Sequence, residues 1–351
     1  MFERNDELDK RILDPNANSE DLGSKNLRPK YLNEFIGQDN IKKKLLVTIE
    51  AAKIRDDQVD HIVLAGPPGL GKTTLAHIIA NEIGSNLHIT SGPVIERAGD
   101  LAAMLTNLEK GDILFIDEIH RLNRSIEEIL YSAMEDFQLD IVIGKGPSAR
   151  SIRIDLQPFT LIGATTRLGL IAPPLRSRFG IVLEMDFYPP KDLKLIIQRS
   201  AVILNIEIKE DAALLLAERA RGTPRIANRL LKRIRDYVQV QNKNVIEVED
   251  VINAMRLFEM DEDGLDKMDR KILKTIIENY EGGPVGINAL ASSLGIEPDS
   301  ISEVYEPYLL QSGFIIRTPR GRVATKKSYK KFNLDKKISD KDLSLWSEIN
   351  E

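Results

Sequence analysis

From residue 27 to about 188, short apolar runs bounded by Gly, Pro, Asp and Thr alternate with longer amphipathic stretches. Strands joined by crossover helices give this rhythm, because a strand of a parallel sheet is covered on both faces and is apolar throughout. The runs Ile62-Val63-Leu64-Ala65, Leu87-His88-Ile89, Ile113-Leu114-Phe115-Ile116, Thr160-Leu161-Ile162-Gly163-Ala164 and Ile181-Val182-Leu183 predict five parallel strands. After Pro189-Pro190 the period changes. Ile226, Leu230, Ile234 and Val238 recur every fourth residue, and 189–262 reads as a small, wholly helical domain. Met260-Asp261-Glu262-Asp263-Gly264 is an acidic, glycine-ended break. Beyond it, 263–335 reads as a helix from Asp269 to Tyr280, a Gly-Gly-Pro turn, a short helix around Ile287 to Leu294, a turn at Gly295 and a second helix. Two β-like runs follow, Phe314-Ile315-Ile316 and Arg322-Val323-Ala324, around Pro319-Arg320-Gly321. That order predicts a winged helix-turn-helix. Its second helix should carry Ile301, Val304, Tyr305 and Tyr308 on one face, with a kink or early end at Pro307. Residues 1–26 are expected to form a mobile tail and 336–351 a charged one.

A length of 351 residues accommodates these units, each with its own core. With 42% apolar and 29% charged residues the composition is globular. The absence of cysteine excludes disulfides, thiolate metal sites and cysteine nucleophiles. No apolar run approaches a membrane span, and the first residues lack the apolar core of a signal peptide, so a cytoplasmic protein is expected. A net charge of -5 argues against coating nucleic acid by bulk charge. One segment departs from that balance. Between Gly313 and Leu334 stand Arg317, Arg320, Arg322, Lys326, Lys327, Lys330 and Lys331 without an acid, and their place on the wing favours contact with a DNA backbone over a merely solvated face.

Gly66-Pro67-Pro68-Gly69-Leu70-Gly71-Lys72-Thr73 is a phosphate loop between a predicted strand and a predicted helix. Its glycines let backbone N–H groups converge on a triphosphate, Lys72 neutralises phosphate oxygens, and the Thr73 hydroxyl can ligate Mg²⁺. The strand 113–116 ends in Asp117-Glu118, at the carboxyl edge where ligands of parallel sheets bind. Asp117 can hold the water shell of Mg²⁺, and Glu118 can orient and deprotonate an attacking water. The strand 159–164 ends in Thr165-Thr166-Arg167, and Arg176 and Arg178 precede the last strand. Such arginines are surface charges in a monomer; offered to a neighbour's γ-phosphate, one raises the rate by about 10³ to 10⁵. The segments 139–143 and 151–154 alternate around Gly144-Lys145-Gly146-Pro147-Ser148, a hairpin of about 138–156 whose isoleucines either pack on the parent domain or form a docking patch. The four histidines, His61, His77, His88 and His120, show no metal-ligand spacing, and structural roles are expected.

Taken together, Gly-Pro-Pro-Gly-Leu-Gly-Lys-Thr-Thr-Leu-Ala, Leu-Phe-Ile-Asp-Glu-Ile-His-Arg-Leu, Gly-Ala-Thr-Thr-Arg, Pro-Leu-Arg-Ser-Arg-Phe-Gly and Arg-Gly-Thr-Pro-Arg-Ile-Ala-Asn-Arg-Leu-Leu resemble the AAA+ ATPases and, more narrowly, the RuvB family of Holliday-junction branch-migration motors, over about residues 25–335. The resemblance implies an α/β fold with a P-loop parallel-sheet domain at 27–188, a helical lid domain at 189–262 and a winged-helix DNA-binding domain at 263–335. It implies ATP and Mg²⁺ as ligands, with Gly69, Gly71, Lys72, Thr73 and Thr74 on the phosphates, Thr73 and Asp117 on the metal, and Glu118 as base. Thr166, or in second place Thr165, would be the first sensor. Arg178, or in second place Arg176, would be a finger acting on the next subunit, and Arg225 a second sensor reaching from the lid. Leu27, Arg28 and Tyr188 would hold the adenine, although hinge packing also accounts for Tyr188 and a solvated helix face for Arg225. Arg317, Arg320 and Arg322 would grip double-stranded DNA at four-way junctions. The partners implied are further copies of the chain in a hexameric ring, a RuvA-type junction-binding protein on the 138–156 hairpin and a RuvC-type resolvase. Two rivals stay open: an AAA+ loader or initiator that uses ATP as an assembly switch, and a winged-helix transcription regulator.

Overall fold

The computed structural model describes residues 27–143 and 150–334, so both tails and the tip of the 138–156 hairpin lie outside the described residues. The chain separates into two compact units, Met1–Val251 and Ile252–Glu351.

In the first unit the strands β1 (Ile62–Ala65), β2 (Leu87–Ser91), β3 (Ile113–Asp117), β6 (Thr160–Thr165) and β7 (Ile181–Glu184) form one sheet in the order β2-β3-β6-β1-β7, every pair parallel. β1 and β6 are buried along their whole length, which explains their unbroken apolar character. Helices α1 (Asp39–Arg55), α2 (Lys72–Ile83), α3 (Ala98–Thr106) and α4 (Arg124–Glu135) cover the sheet. Val63, Leu114, Ile116 and Leu161 pack with Leu101, Leu105, Ile126, Leu130 and Phe159 in one core. Strand order therefore brings the carboxyl ends of β1, β3 and β6 side by side. The hairpin pairs β4 (Gln138–Ile143) with β5 (Arg150–Asp155) in antiparallel register. At its base Leu139 is fully buried in the domain core, while Ile152 farther along is 47% exposed.

The helices α5 (Pro190–Ile203), α6 (Glu210–Arg219), α7 (Pro224–Val240) and α8 (Val248–Leu257) follow. Leu230, Ile234 and Val238 are buried, as their spacing requires. The stretch is not wholly helical, however. β8 (Glu207–Ile208) and β9 (Val245–Ile246) pair in parallel, and two-residue strands leave no periodicity for a sequence to display.

The second unit holds α9 (Lys267–Asn279), α10 (Ile287–Leu294), α11 (Glu306–Gln311), β10 (Ile315–Thr318), β11 (Gly321–Ala324) and a terminal α12 (Lys326–Lys331) absent from the sequence expectation. It begins before the acidic break because Arg270 of α9 donates to the Leu265 and Glu259 carbonyls and Lys331 pairs with Asp261 and Asp263, tying 259–265 to this unit. Pro307 does not end the second helix of the motif; it opens α11. The irregularity falls just before it, where Ile301–Tyr305 form a π turn and the Glu306 N–H bonds the Ile301 carbonyl. Proline has no N–H to continue an α-helical ladder, and the extra residue in the turn rotates the helix face. Ile301, Glu306 and Leu309 consequently point inward, and Val304, expected there, is 57% exposed.

Candidate active site

The phosphate loop leaves β1 at Ala65 and enters α2 at Lys72, capped by Gly71. Gly66, Gly69 and Gly71 have φ of 144°, 84° and 106°, a region that L side chains rarely enter. At Gly66 a Cβ would also stand 2.7 Å from the Met185 carbonyl oxygen. Lys72 is 8% exposed, and its Nζ donates to the carbonyls of Gly66 at 2.7 Å and Pro67 at 3.0 Å. Burial pushes the ammonium below its usual range; the carboxylates of Asp117 and Glu118 oppose that shift and Arg225 adds to it. Loop, acidic pair and lid arginine thus act on one another electrically.

β3 carries Asp117 at its carboxyl end, and the chain turns sharply at Glu118, whose φ is 49°. Asp117 Oδ1 accepts the Glu118 N–H at 3.0 Å. Gly92 abuts this turn, where an added Cβ would lie 2.5 Å from the Glu118 carbonyl oxygen. His120 places Nδ1 3.3 Å from Glu118 Oε2 and 2.9 Å from Thr165 Oγ1. At the end of β6 the two threonines differ. The Thr165 hydroxyl is engaged, whereas Thr166 Oγ1 is buried without a hydrogen-bond partner. A buried hydroxyl left over beside a phosphate loop suits a group that meets its partner on the ligand.

Arg178 stands apart from this cluster. Its guanidinium donates to Glu135 Oε2 at 2.9 Å and to the Pro174 carbonyl at 2.7 Å, and lies 4.6 Å from the centre of the Tyr131 ring. Arg176 is exposed. On the lid side, the Arg225 N–H donates to the Gly69 carbonyl at 3.3 Å. Tyr188 is buried, its hydroxyl 3.4 Å from the Leu70 carbonyl and its N–H 2.8 Å from the Gly222 carbonyl. Leu27 is buried, and its carbonyl accepts from Arg199 of α5. The Arg225 side chain is exposed, as a group awaiting a ligand or a solvated face would be.

On the wing, Arg317 and Arg320 are exposed. Arg322 corrects the sequence expectation. It is 6% exposed and makes a bidentate bond to buried Glu306, Nε to Oε1 at 3.0 Å and Nη2 to Oε2 at 2.8 Å, so it faces the domain interior rather than a duplex. Arg317 stands directly opposite Arg322 in the antiparallel pair, on the same face of the ribbon, and is exposed where Arg322 is covered by its pairing with Glu306. Lys331 is occupied by Asp261 and Asp263, and Lys327 bonds the Ser312 carbonyl over the Phe314 ring. Gly92, Glu135 and Glu306 were not singled out by sequence reasoning, and His120 was assigned only a structural role. For His120 the signal was available in its position two residues after Glu118.

A phosphate loop on β1, an acidic pair at the end of β3 one strand beyond β6, and a helical lid bonded to that loop define a P-loop ATPase of the AAA+ class. The chain belongs to the RuvB family. The family descriptions "Holliday junction DNA helicase RuvB P-loop domain", "RuvB AAA lid domain" and "RuvB C-terminal winged helix domain" match residues 27–185, 188–261 and 262–333. The chain is 65% identical over 323 residues to the Holliday junction branch migration complex subunit RuvB of Kosmotoga olearia, covering 92% of this chain and 94% of that one. Its counterpart in Thermotoga maritima is 63% identical over 319 residues, covering 91% and 96%. The solved structure of the Thermotoga maritima RuvB Holliday junction branch migration motor superposes with a TM-score of 0.83 at 60% identity, covering 88% of this chain and 99% of that chain. Among the described residues no helix is long and apolar enough to cross a membrane.

Proposed function

We propose that the chain is a cytoplasmic, ATP-driven DNA translocase that moves Holliday junctions during recombination and repair. It works as a hexameric ring, with a RuvA-type protein docked on the 138–156 hairpin and a RuvC-type resolvase in the same assembly. The observation that carries this reading is the double attachment of the lid to the phosphate loop, Arg225 N–H to the Gly69 carbonyl and Tyr188 hydroxyl to the Leu70 carbonyl. A loop that senses the γ-phosphate is thereby joined to a body that can tilt, the coupling a motor needs.

In hydrolysis Glu118 takes a proton from water as its oxygen attacks the γ-phosphorus and the bond to the β-phosphate bridging oxygen breaks, leaving ADP and phosphate. Lys72 and the N–H groups of Gly69, Gly71, Thr73 and Thr74 hold the phosphates, and Thr166 and Arg225 report their state. The Thr73 hydroxyl and Asp117 carboxylate are hard oxygen donors that fit Mg²⁺, which when bound neutralises phosphate charge. Arg178 serves the next subunit's site, and Leu27, Arg28 and Tyr188 hold the base. Arg317 and Arg320 grip the duplex backbone, because a motor passing over any sequence cannot depend on base edges. The test is strand exchange of a synthetic four-way junction with ATP, with and without a RuvA-type protein. Continuous turnover and migration support the motor; a single hydrolysis per assembly, or a sequence-specific footprint, would replace it with the loader or the regulator.

A further inference from the structure

His120 occupies a place that its motif does not explain. It lies in the single helical turn Ile119–Arg121, immediately after the left-handed Glu118, with its side chain only 5% exposed. One edge of the imidazole stands between two motifs: Nδ1 is 2.9 Å from Thr165 Oγ1 at the end of β6 and 3.3 Å from Glu118 Oε2 at the end of β3. The Thr165 hydroxyl oxygen is itself fixed by the Arg167 N–H at 2.9 Å, and the Thr165 carbonyl accepts the N–H of Gly66, the first loop glycine, at 3.1 Å. The imidazole is therefore seated on the strand end that also supports the phosphate loop and leads into Thr166. Glu118, by contrast, sits beyond its strand with a side chain 29% exposed. A carboxylate placed there has several rotamers, and a general base works only when held in one of them.

We propose that His120 is a positioning residue that aims the Glu118 carboxylate, using Nδ1–H as a donor to Glu118 and Thr165 and so locking the base to the strand end that carries Thr166. An ionised carboxylate only accepts, as does the hydroxyl oxygen toward this donor, and one Nδ1 proton faces both. The proposal rests on the reading of Glu118 as the base.

The experiment measures ATP turnover, ATP affinity and melting temperature of the full chain under ring-forming conditions for His120→Ala, His120→Asn, His120→Gln and Glu118→Gln, and for Glu118→Gln combined with His120→Ala. His120→Ala is expected to lower kcat about 10- to 100-fold, the usual cost of losing a partner that orients a reacting group. KM and ATP affinity should stay within about twofold, because the interaction acts in the chemical step. His120→Asn, whose amide N–H falls near the Nδ1 position, should restore most of kcat, and His120→Gln, which reaches toward the Nε2 position, should not. In the Glu118→Gln background His120→Ala should cost nothing further, since residues acting as a unit are not additive. Wild-type kcat in His120→Ala, equal activity of the Asn and Gln variants, or a full additional loss on top of Glu118→Gln each overturns the positioning role. Wild-type turnover by Glu118→Gln alone removes instead the base assignment, and with it the role of His120; the two failures are told apart by which variant stays active.

Discussion

Arg322 and Glu306 meet as a buried bidentate ion pair, joining the wing strand β11 to the first turn of α11 across sixteen residues of sequence. Removing one member leaves the other charge buried and unpaired, which costs about 3–5 kcal/mol, whereas replacing both by apolar residues of similar volume is often neutral. Arg322→Ala is therefore expected to destabilise the C-terminal unit by about that amount in urea unfolding, with Arg322→Met/Glu306→Leu recovering most of it. An Arg322→Ala protein as stable as wild type would return this residue to the solvent-facing set.

Arg317 and Arg320 carry the opposite expectation. Both are exposed on or beside the tight turn of the wing. Each phosphate they neutralise releases one counterion, so Arg317→Ala or Arg320→Ala should weaken duplex binding alike on unrelated sequences and flatten the log-affinity against log-salt slope by about 0.9. The melting temperature should not change. An unaltered slope in a salt titration places the grip elsewhere.

The Arg178 guanidinium is held against Glu135 and Tyr131 of its own subunit, with the side chain 20% exposed. If it is presented from there to a neighbour, Arg178→Ala subunits should be inactive alone, by about 10³- to 10⁵-fold in kcat. Mixed with Lys72→Ala subunits, they should regain hydrolysis, because an intact Lys72 then meets an intact Arg178 across an interface. Mixtures as inactive as both parents, in rings shown to form, would count against action in trans.

His61 provides a pH test of the core. Its Nδ1 accepts the Leu161 N–H at 2.8 Å, its Nε2 lies 3.1 Å from the Met134 carbonyl, and the ring packs with Phe137 and Phe159. Burial lowers its pKa from 6.5, against the Met134 bond and Asp60. A base with a depressed folded pKa takes its proton first in the unfolded chain. The stability it allows is complete above the unfolded value and is lost as pH falls from about 6.5 toward the folded one, at up to about 1.4 kcal/mol per pH unit. Unfolding of wild type and His61→Phe between pH 8 and 5 should show this decline in the former and less of it in the latter, at whatever absolute stability each has. Parallel curves would mean that His61 is charged in the fold.

How far the sequence could be read follows the same physics. The inner strands β1 and β6 were legible because full burial gives each an apolar run, the half-exposed β2 and β7 showed only short ones, and the phosphate loop was legible because left-handed backbone demands glycine at fixed spacing. Arg322 was misread because a run of basic residues carries no mark of which one turns inward; only the π turn that swings Glu306 to the interior decides it. His120 and Thr165 lie 45 residues apart, and their pairing follows from strand order rather than from any local pattern.

Gly92 supplies the most local test of the Glu118 turn. It is not left-handed, and no turn requirement explains it; the reason is space, since a Cβ would lie 2.5 Å from the Glu118 carbonyl oxygen and 3.3 Å from its carbon. Both are backbone atoms, so relief must come from moving the peptide that sets Glu118. Displacement of a reacting group by about 1 Å costs on the order of 10²-fold, and Gly92→Ala should lose about that much in kcat while keeping ATP affinity, because the phosphate loop is not touched. Gly99 is the matched control. Nothing lies within 4 Å of a Cβ there, and it is the second residue of α3, in helical backbone that alanine adopts readily. Gly99→Ala should therefore turn over ATP normally and melt no lower. Wild-type kcat in Gly92→Ala would show that the Glu118 turn yields without harm to the chemistry, whereas a loss of ATP affinity equal to the loss of kcat would mean that the disturbance has spread to the loop.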